Sequence, residues 1–222
     1  MTGTVTDMAE KVKPSRRKYH SPLRADQAEQ TRRRVVDAAF ELFVERGYAR
    51  TTLAAVAERA ALSTETIYST FGGKRGLLES VILSAITGED DPPTPDNEWW
   101  ASVAELADAR DRLRKMVEYS CRILVRTRPV HAVIRGAADT EPFAADLARR
   151  LLQDRLTNQT ARIREYLHDD LKPGLSVAEA GQRYCALTSP ELYQMLTVEF
   201  RWSADRHRVW VTGMLEAELL QS

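Results

Sequence analysis

An all-α protein is predicted by three observations on this sequence. Ala, Leu, Arg and Glu dominate, while Pro and Gly number only 9 and 10 among 222 residues, a usage that favours helix over sheet. Apolar residues recur at i, i+3, i+4 and i+7 along most of the chain, the period of a helix buried on one side. Helix starts are also written out, as Ser or Thr caps, or an early Pro, standing just ahead of these runs. At 43% hydrophobic the chain can bury a proper core, as one large helical domain or a small domain on a larger one.

Residues 1–24 lack apolar periodicity and carry Lys11, Lys13, Arg16, Arg17, Lys18 and Arg24, with no acid between Glu10 and Asp26. They read as a flexible basic arm, either a solubilising tail or a segment that lies along phosphates. From about Asp26 to Arg46, Val36, Phe40 and Phe43 align with Val35, Ala39 and Leu42 beside them, and Gly47 closes the helix. Arg32, Arg33 and Arg34 near its start oppose the helix dipole slightly. Nearby phosphates would ease that cost, though solvation would serve equally.

The next stretch, Thr51 to Lys74, reads as two short helices meeting at a tight turn, a DNA-reading device. Thr52 caps the first, which carries Leu53, Val56, Ala57 and Ala60 on one face. Ser63 caps the second, where Ile67 and Phe71 give one narrow inward stripe. The other face shows Thr64, Glu65, Thr66, Tyr68, Ser69 and Thr70, mostly short hydroxyls suited to phosphate oxygens and base edges. Gly72 and Gly73 then stop the helix. A fourth helix, Lys74 to about Thr87, has Leu77, Leu78, Val81, Ile82 and Ala85 at core spacing, and the prolines of GEDDPPTPDN end it. The DNA-binding unit with its connecting helix is thus expected at 25–87.

A second domain is expected at 98–222. Trp99 and Trp100 open it, and Leu113, Met116, Val117, Ser120, Cys121 and Leu124 mark a long amphipathic helix expected to close at Pro129, followed by a short one from Val130 to about Ala138. Pro142 starts another helix running to about His168, with a polar middle that is solvated or lines a cavity. Ser176 with Glu179 forms a capping box, Ser189-Pro190 marks a further start, and Ser203 caps the last helix. That last helix is apolar on more sides than one intrachain contact can cover.

The residues from Thr51 to Leu78 carry a family resemblance. Paired threonines, an A-x-x-A turn, Ser63, Thr66-Ile67-Tyr68, Phe71, and Lys74 ahead of Leu77-Leu78 resemble the amino-terminal signature of tetracycline-repressor-type (TetR-family) regulators. The resemblance implies a helix-turn-helix in the major groove, with Tyr68 and Lys74 on phosphates and Thr64 reaching a base. One departure is Ala61, which stands where the family usually has Gly. A positive φ there would strain Ala by roughly 1 kcal/mol, so the sequence predicts either a slightly different turn or a position that is not left-handed.

The expected function is a DNA-binding transcriptional regulator, a ligand-inducible repressor that binds a palindromic operator as a homodimer. Its DNA contacts are expected from Thr51, Thr52, Ser63, Thr64, Glu65, Thr66, Tyr68, Ser69 and Lys74. A small-molecule effector is expected among Trp100, Met116, Tyr119, His131, Arg135, Phe143 and Arg155, aromatic and soft apolar surface with a few polar groups. The dimer is expected through Val177, Ala180, Gly181, Tyr184, Trp210, Met214 and Ala217. The alternative reading is a nucleoid or architectural DNA-binding protein without inducer.

Charge supports the assignment: residues 1–80 hold 14 Lys and Arg against 10 Asp and Glu, net +4, although the chain as a whole is neutral. An all-α metalloenzyme is the rival from another class, suggested by Glu165-x-x-His168, but a di-iron site needs a second such pair and further inward glutamates. No cofactor, metal or catalytic constellation is called for. Cys121 and Cys185 fall on apolar helix faces, where an inert thiol is usual. The two cysteines, and the absence of a membrane-spanning run or apolar leader, lead to a cytoplasmic expectation.

Overall fold

The computed structural model describes residues 22–87 and 97–221. The basic side chains of the expected arm, Lys11 to Arg24, and the proline-rich stretch at 88–96 lie outside the described residues. The fold is all-α, as expected. Its amino-terminal helices are α1 (Pro22–Arg50), α2 (Leu53–Ala60), α3 (Thr64–Phe71) and α4 (Lys74–Thr87). They are followed by α5 (Asn97–Ala104), α6 (Ala109–Ala138), α7 (Pro142–Tyr166), α8 (Val177–Leu187), α9 (Pro190–Gln194) and α10 (Ala204–Leu219). A π-helical turn, Met195–Glu199, extends α9, and a lone bridge between Leu171 and Leu220 ties the end of α10 to the segment after α7.

Local chemistry sets most helix starts. The hydroxyls of Thr52, Ser63, Ser176, Ser189 and Ser203 accept hydrogen bonds from the backbone N–H of Ala55, Thr66, Glu179, Leu192 and Arg206, each satisfying a donor that the first turn leaves orphaned. α1 begins at Pro22, earlier than expected. Its helical geometry breaks at Gly47, whose φ of 76° and ψ of 163° suit a residue without Cβ.

Pro129 does not end its helix, contrary to expectation: α6 runs unbroken from Ala109 to Ala138. An interior Pro costs roughly 3 kcal/mol through a lost hydrogen bond and a ring clash. Beyond it, however, Val130, Val133 and Ile134 are buried against α1 and α4, and burying each contributes roughly 1.5–3 kcal/mol. Burial therefore outweighs the break.

The described core forms two clusters. One gathers Val35, Leu42, Phe43, Val56, Ile67, Leu77, Leu78 and Val81 of α1–α4, together with Val130, Val133, Ile134 and Ala137 of α6 and Ala144 and Leu147 of α7. The other holds Leu113, Met116 and Val117 of α6 with Ile163, Ala180, Tyr184, Val211, Leu215 and Leu219. α6 thus belongs to both, its first half to the second cluster and its last half to the first.

Candidate nucleic-acid interface

α2 and α3 are joined by Ala61, Leu62 and Ser63. Ala61 takes φ 54° and ψ 49°, fully left-handed, which overturns the alternative that this position is not left-handed. The N–H of Ala61 is donated to the Glu58 carbonyl at 3.2 Å and that of Leu62 to the Ala57 carbonyl at 2.9 Å. These two bonds close the end of α2 and offset the strain of a Cβ in that region.

Ile67 and Phe71 turn α3 inward, 0% and 8% exposed. That leaves Thr64, Glu65, Thr66, Tyr68, Ser69 and Thr70 on the outside. Tyr68, at 63% exposed, is a large aromatic hydroxyl held out in solvent. The hydroxyls of Ser69 and Thr70 donate back to the Thr66 carbonyl, and those of Ser63 and Thr66 lie 2.9 Å apart. The start of α3 therefore presents Thr64, Glu65 and Tyr68 as its least committed polar groups. Glu65 repels phosphate and is suited to a base amino group such as cytosine N4.

Lys74 opens α4 beside this surface. Its ammonium lies 4.2 Å from the centre of the Tyr48 ring and donates to the Ala49 carbonyl at 3.2 Å. Partial burial pulls its pKa below the ordinary lysine range, opposed by the charge of Glu141. Tyr48, which sequence reasoning missed, is the platform for this cation; its only sequence signal is its place just after Gly47. The Tyr48 ring is packed in turn by Phe43 and by Phe143 of α7, with ring centres 5.5 and 5.3 Å away.

Thr51 is a correction. It is 1% exposed, and its hydroxyl donates to the carbonyls of Leu42 and Gly47, so it locks the α1–α2 corner and cannot touch a ligand. Arg59 of α2 bridges Glu41 and Glu45 of α1 at 3.1 and 2.9 Å, and the hydrogen bond from Arg59 holds the Glu45 carboxyl below its usual range. Arg32 reaches from α1 to the Ser80 hydroxyl and over the Phe71 ring. These cross-braces fix the angle at which α3 is presented.

Residues 35–81 match the model for the bacterial regulatory proteins of the tetR family. The HTH-type transcriptional regulator SrpR of Pseudomonas putida is 36% identical over 89 residues, 38% of this chain and 42% of that protein. The chain belongs to the TetR family. It spans less than two thirds of the length of the curated relatives it matches. The TetR-family body as a whole resembles NalD, the secondary repressor of the MexAB-OprM multidrug efflux pump in Pseudomonas aeruginosa. That alignment has a TM-score of 0.65 at 17% identity, over 89% of this chain and 99% of the other. A putative transcriptional regulator from Saccharomonospora viridis, solved in complex with choline, aligns at a TM-score of 0.64 and 21% identity over 87% of this chain and 100% of that one. At these identities the likeness is one of fold.

Elsewhere in this TetR-family chain, the residues expected to line an effector cavity fall into separate groups, with His131, Arg135 and Arg155 near Glu191 and Trp100 beside Tyr119. Met116 is packed in the second core cluster and Phe143 against the first. Arg135 is exposed and faces Glu191 at 3.9 Å, while Arg155 donates to the Thr188 carbonyl at 2.8 Å. Burial lowers the His131 pKa, with Glu191 opposing. Trp100 and Tyr119 do meet, their rings edge to face at 5.5 Å.

The expected dimer residues also divide. Ala180, Gly181 and Tyr184 are buried within the chain, because α8 lies tightly on α7. A Cβ on Gly181 would come within 2.2 Å of the Thr160 hydroxyl, so this glycine serves an internal contact rather than one between copies. Tyr184 reaches Ser120 at 2.9 Å, and Val177 packs at the edge of the second cluster. Outward apolar surface remains at Met195, Val198, Phe200, Val209 and Met214, with Ala217 exposed and Trp210 half-buried. Among the described residues no helix is long and apolar enough to cross a membrane.

Proposed function

We propose that this chain is a repressor that binds operator DNA as a homodimer through α3 and lets go when a small molecule occupies its carboxy-terminal body. The observation that carries the DNA reading is the geometry of α3, whose apolar side is buried and whose Thr64, Glu65 and Tyr68 stand outward beside the Lys74 ammonium. Backbone-directed and base-directed groups are thereby set side by side, the combination a major-groove reader needs. Residues 25–87 form the DNA-binding unit in this reading and 98–222 the effector and dimerisation unit.

Dimerisation is supported by the exposed apolar residues of the π-helical turn and α10. A two-fold pairing there would set two copies of α3 about one DNA turn, ~34 Å, apart. Repression is supported by the fold shared with NalD, a repressor, and an effector by the fold shared with a regulator solved with choline.

The experiment is selection of bound fragments followed by salt titration. Lys74→Ala should weaken binding evenly across sequences and lower the salt slope by about 1. Thr64→Ala should alter preference at one operator position by ~1 kcal/mol. Binding with no sequence preference would instead support an architectural protein.

A further inference from the structure

We infer that the cleft between α5 and α7, beside Tyr119 of α6, is a binding site for an organic cation, a quaternary ammonium or a delocalised planar one, whose seat is held in this structure by the chain's own Arg162. This deepens the small-molecule part of the proposed function and does not require the DNA reading to hold.

Four aromatic rings from three helices meet there. Trp100 of α5 stacks on Tyr166 of α7 at 5.5 Å with 21° between planes. It stands edge-on to Trp99 at 4.7 Å and to Tyr119 of α6 at 5.5 Å. The Arg162 guanidinium lies 4.0 Å from the centre of the Trp100 ring and 4.9 Å from that of Tyr119. Beside these rings opens a cleft of about 380 Å³ lined by Trp100, Ala101, Ala104, Arg162, Glu165 and Tyr166. The two alanines keep its wall low.

The chemistry of this lining selects a class of ligand. Aromatic faces carry negative charge density, so the two that meet at the Arg162 position, those of Trp100 and Tyr119, attract a cation without asking it for hydrogen-bond donors. A methylated ammonium has no such donors and loses little on leaving water, which an aromatic seat exploits better than a carboxylate alone. Glu165, exposed beside the seat, supplies the countercharge; burial and this carboxylate together hold the Tyr166 hydroxyl protonated, with its pKa raised to about 12.

Arg162 marks where the cation goes. Arg112, Arg114 and Arg183 of the same body are engaged by carboxylates, whereas Arg162 makes no ion pair among the described residues and has rings as its partners. It is half-buried on a long flexible stem and can swing to solvent, leaving its place to a ligand. A resident occupant lowers apparent affinity by the fraction of time it holds the seat, so its removal should tighten binding.

The test titrates the full-length protein, without DNA, with benzyltrimethylammonium and with its neutral carbon isostere 2,2-dimethylpropylbenzene, following tryptophan fluorescence and heat. Saturable binding of the cation is expected, with the isostere at least about tenfold weaker because it lacks the charge the rings attract. Trp100→Leu should cost at least about tenfold, and Glu165→Gln about threefold. Arg162→Met, which keeps the stem and removes the charge, should tighten binding by about threefold or more. Should Trp100→Leu fail to fold, the two variants at less buried positions decide the matter. No binding up to about 10 mM, equal binding of the isostere, or weaker binding in Arg162→Met would each overturn the inference. Since DNA is absent from the titration, a protein that binds operator but not the cation would sink this site and leave the DNA reading standing.

Discussion

Replacing Ala61 by Gly should stabilise the protein, against the usual direction for an Ala-to-Gly change within a helix. Ala61 sits at φ 54° and ψ 49°, where the L-residue Cβ crowds the following carbonyl at a cost of roughly 1–2 kcal/mol. Glycine removes that cost but adds freedom to the unfolded chain, worth roughly 0.4–1 kcal/mol in the other direction. The net gain is about 0.5–1 kcal/mol, or roughly 1–4 °C in melting temperature for a chain of this size. The backbone hydrogen bonds of Ala61 and Leu62 to Glu58 and Ala57 are untouched by the change. Ala60→Gly is the control, since Ala60 is helical and 5% exposed; there the same substitution should cost about 1 kcal/mol or more. Thermal and urea unfolding, read by circular dichroism, would measure both. If Ala61→Gly destabilises as much as Ala60→Gly, the left-handed turn at Ala61 is not a strained element.

Thr51→Val should lower stability by roughly 1–2 kcal/mol, because a buried hydroxyl bonded to two carbonyls is lost, and should leave the operator sequence profile unchanged; an altered profile with unaltered stability would restore Thr51 to the DNA surface. His207 is 0% exposed and its Nε2 has no hydrogen-bond partner among the described residues, and burial lowers its pKa, so the neutral ring contributes stability in full above the unfolded value of about 6.5. That contribution is lost as pH falls through the lower folded value. Wild type should therefore weaken from neutral to mildly acid pH more steeply than His207→Gln, and parallel curves of urea midpoint against pH would count against it. Burial raises the Cys121 thiol to about 12 and the Cys185 thiol by less; native protein at about pH 8 should resist iodoacetamide that modifies both in urea, and fast native alkylation would contradict that packing.

What the sequence shows well is what short-range chemistry decides. A Ser or Thr cap acts on an N–H three residues away, so Thr52, Ser63, Ser176, Ser189 and Ser203 could be recognised without knowing any neighbour in space. The inward pair Ile67 and Phe71 was equally plain, since period and residue type agree there. Thr51 was not, because its hydroxyl is committed to Leu42 and Gly47, and an exposed threonine has the same letter as a buried one. Pro129 misled for a related reason: the local penalty is visible in the sequence, whereas the cover that α1 and α4 give Val130, Val133 and Ile134 is not. Ala180 and Gly181 do signal close helix approach, but small residues do not say which helix approaches; here it is α7 of the same chain. Phe143 looked like ligand surface and proved to be the contact on Tyr48, the ring beneath Lys74.

The sharing of α6 between the two core clusters bears on how such regulators can be recombined. A gene fragment ending at residue 87 would encode α1–α4 without Val130, Val133, Ile134, Ala137, Ala144 and Leu147, the residues that close the first cluster. The expressed piece would carry a raw apolar flank where α6 had lain, and it would tend to self-associate. Grafting this amino-terminal half onto another regulator's body meets the same obstacle, since the recipient's own long helix must supply side chains that fit Val81, Ile82 and Phe43. A workable exchange would transplant the α6–α7 corner together with the first four helices, two separated lengths of chain moved as one packing unit.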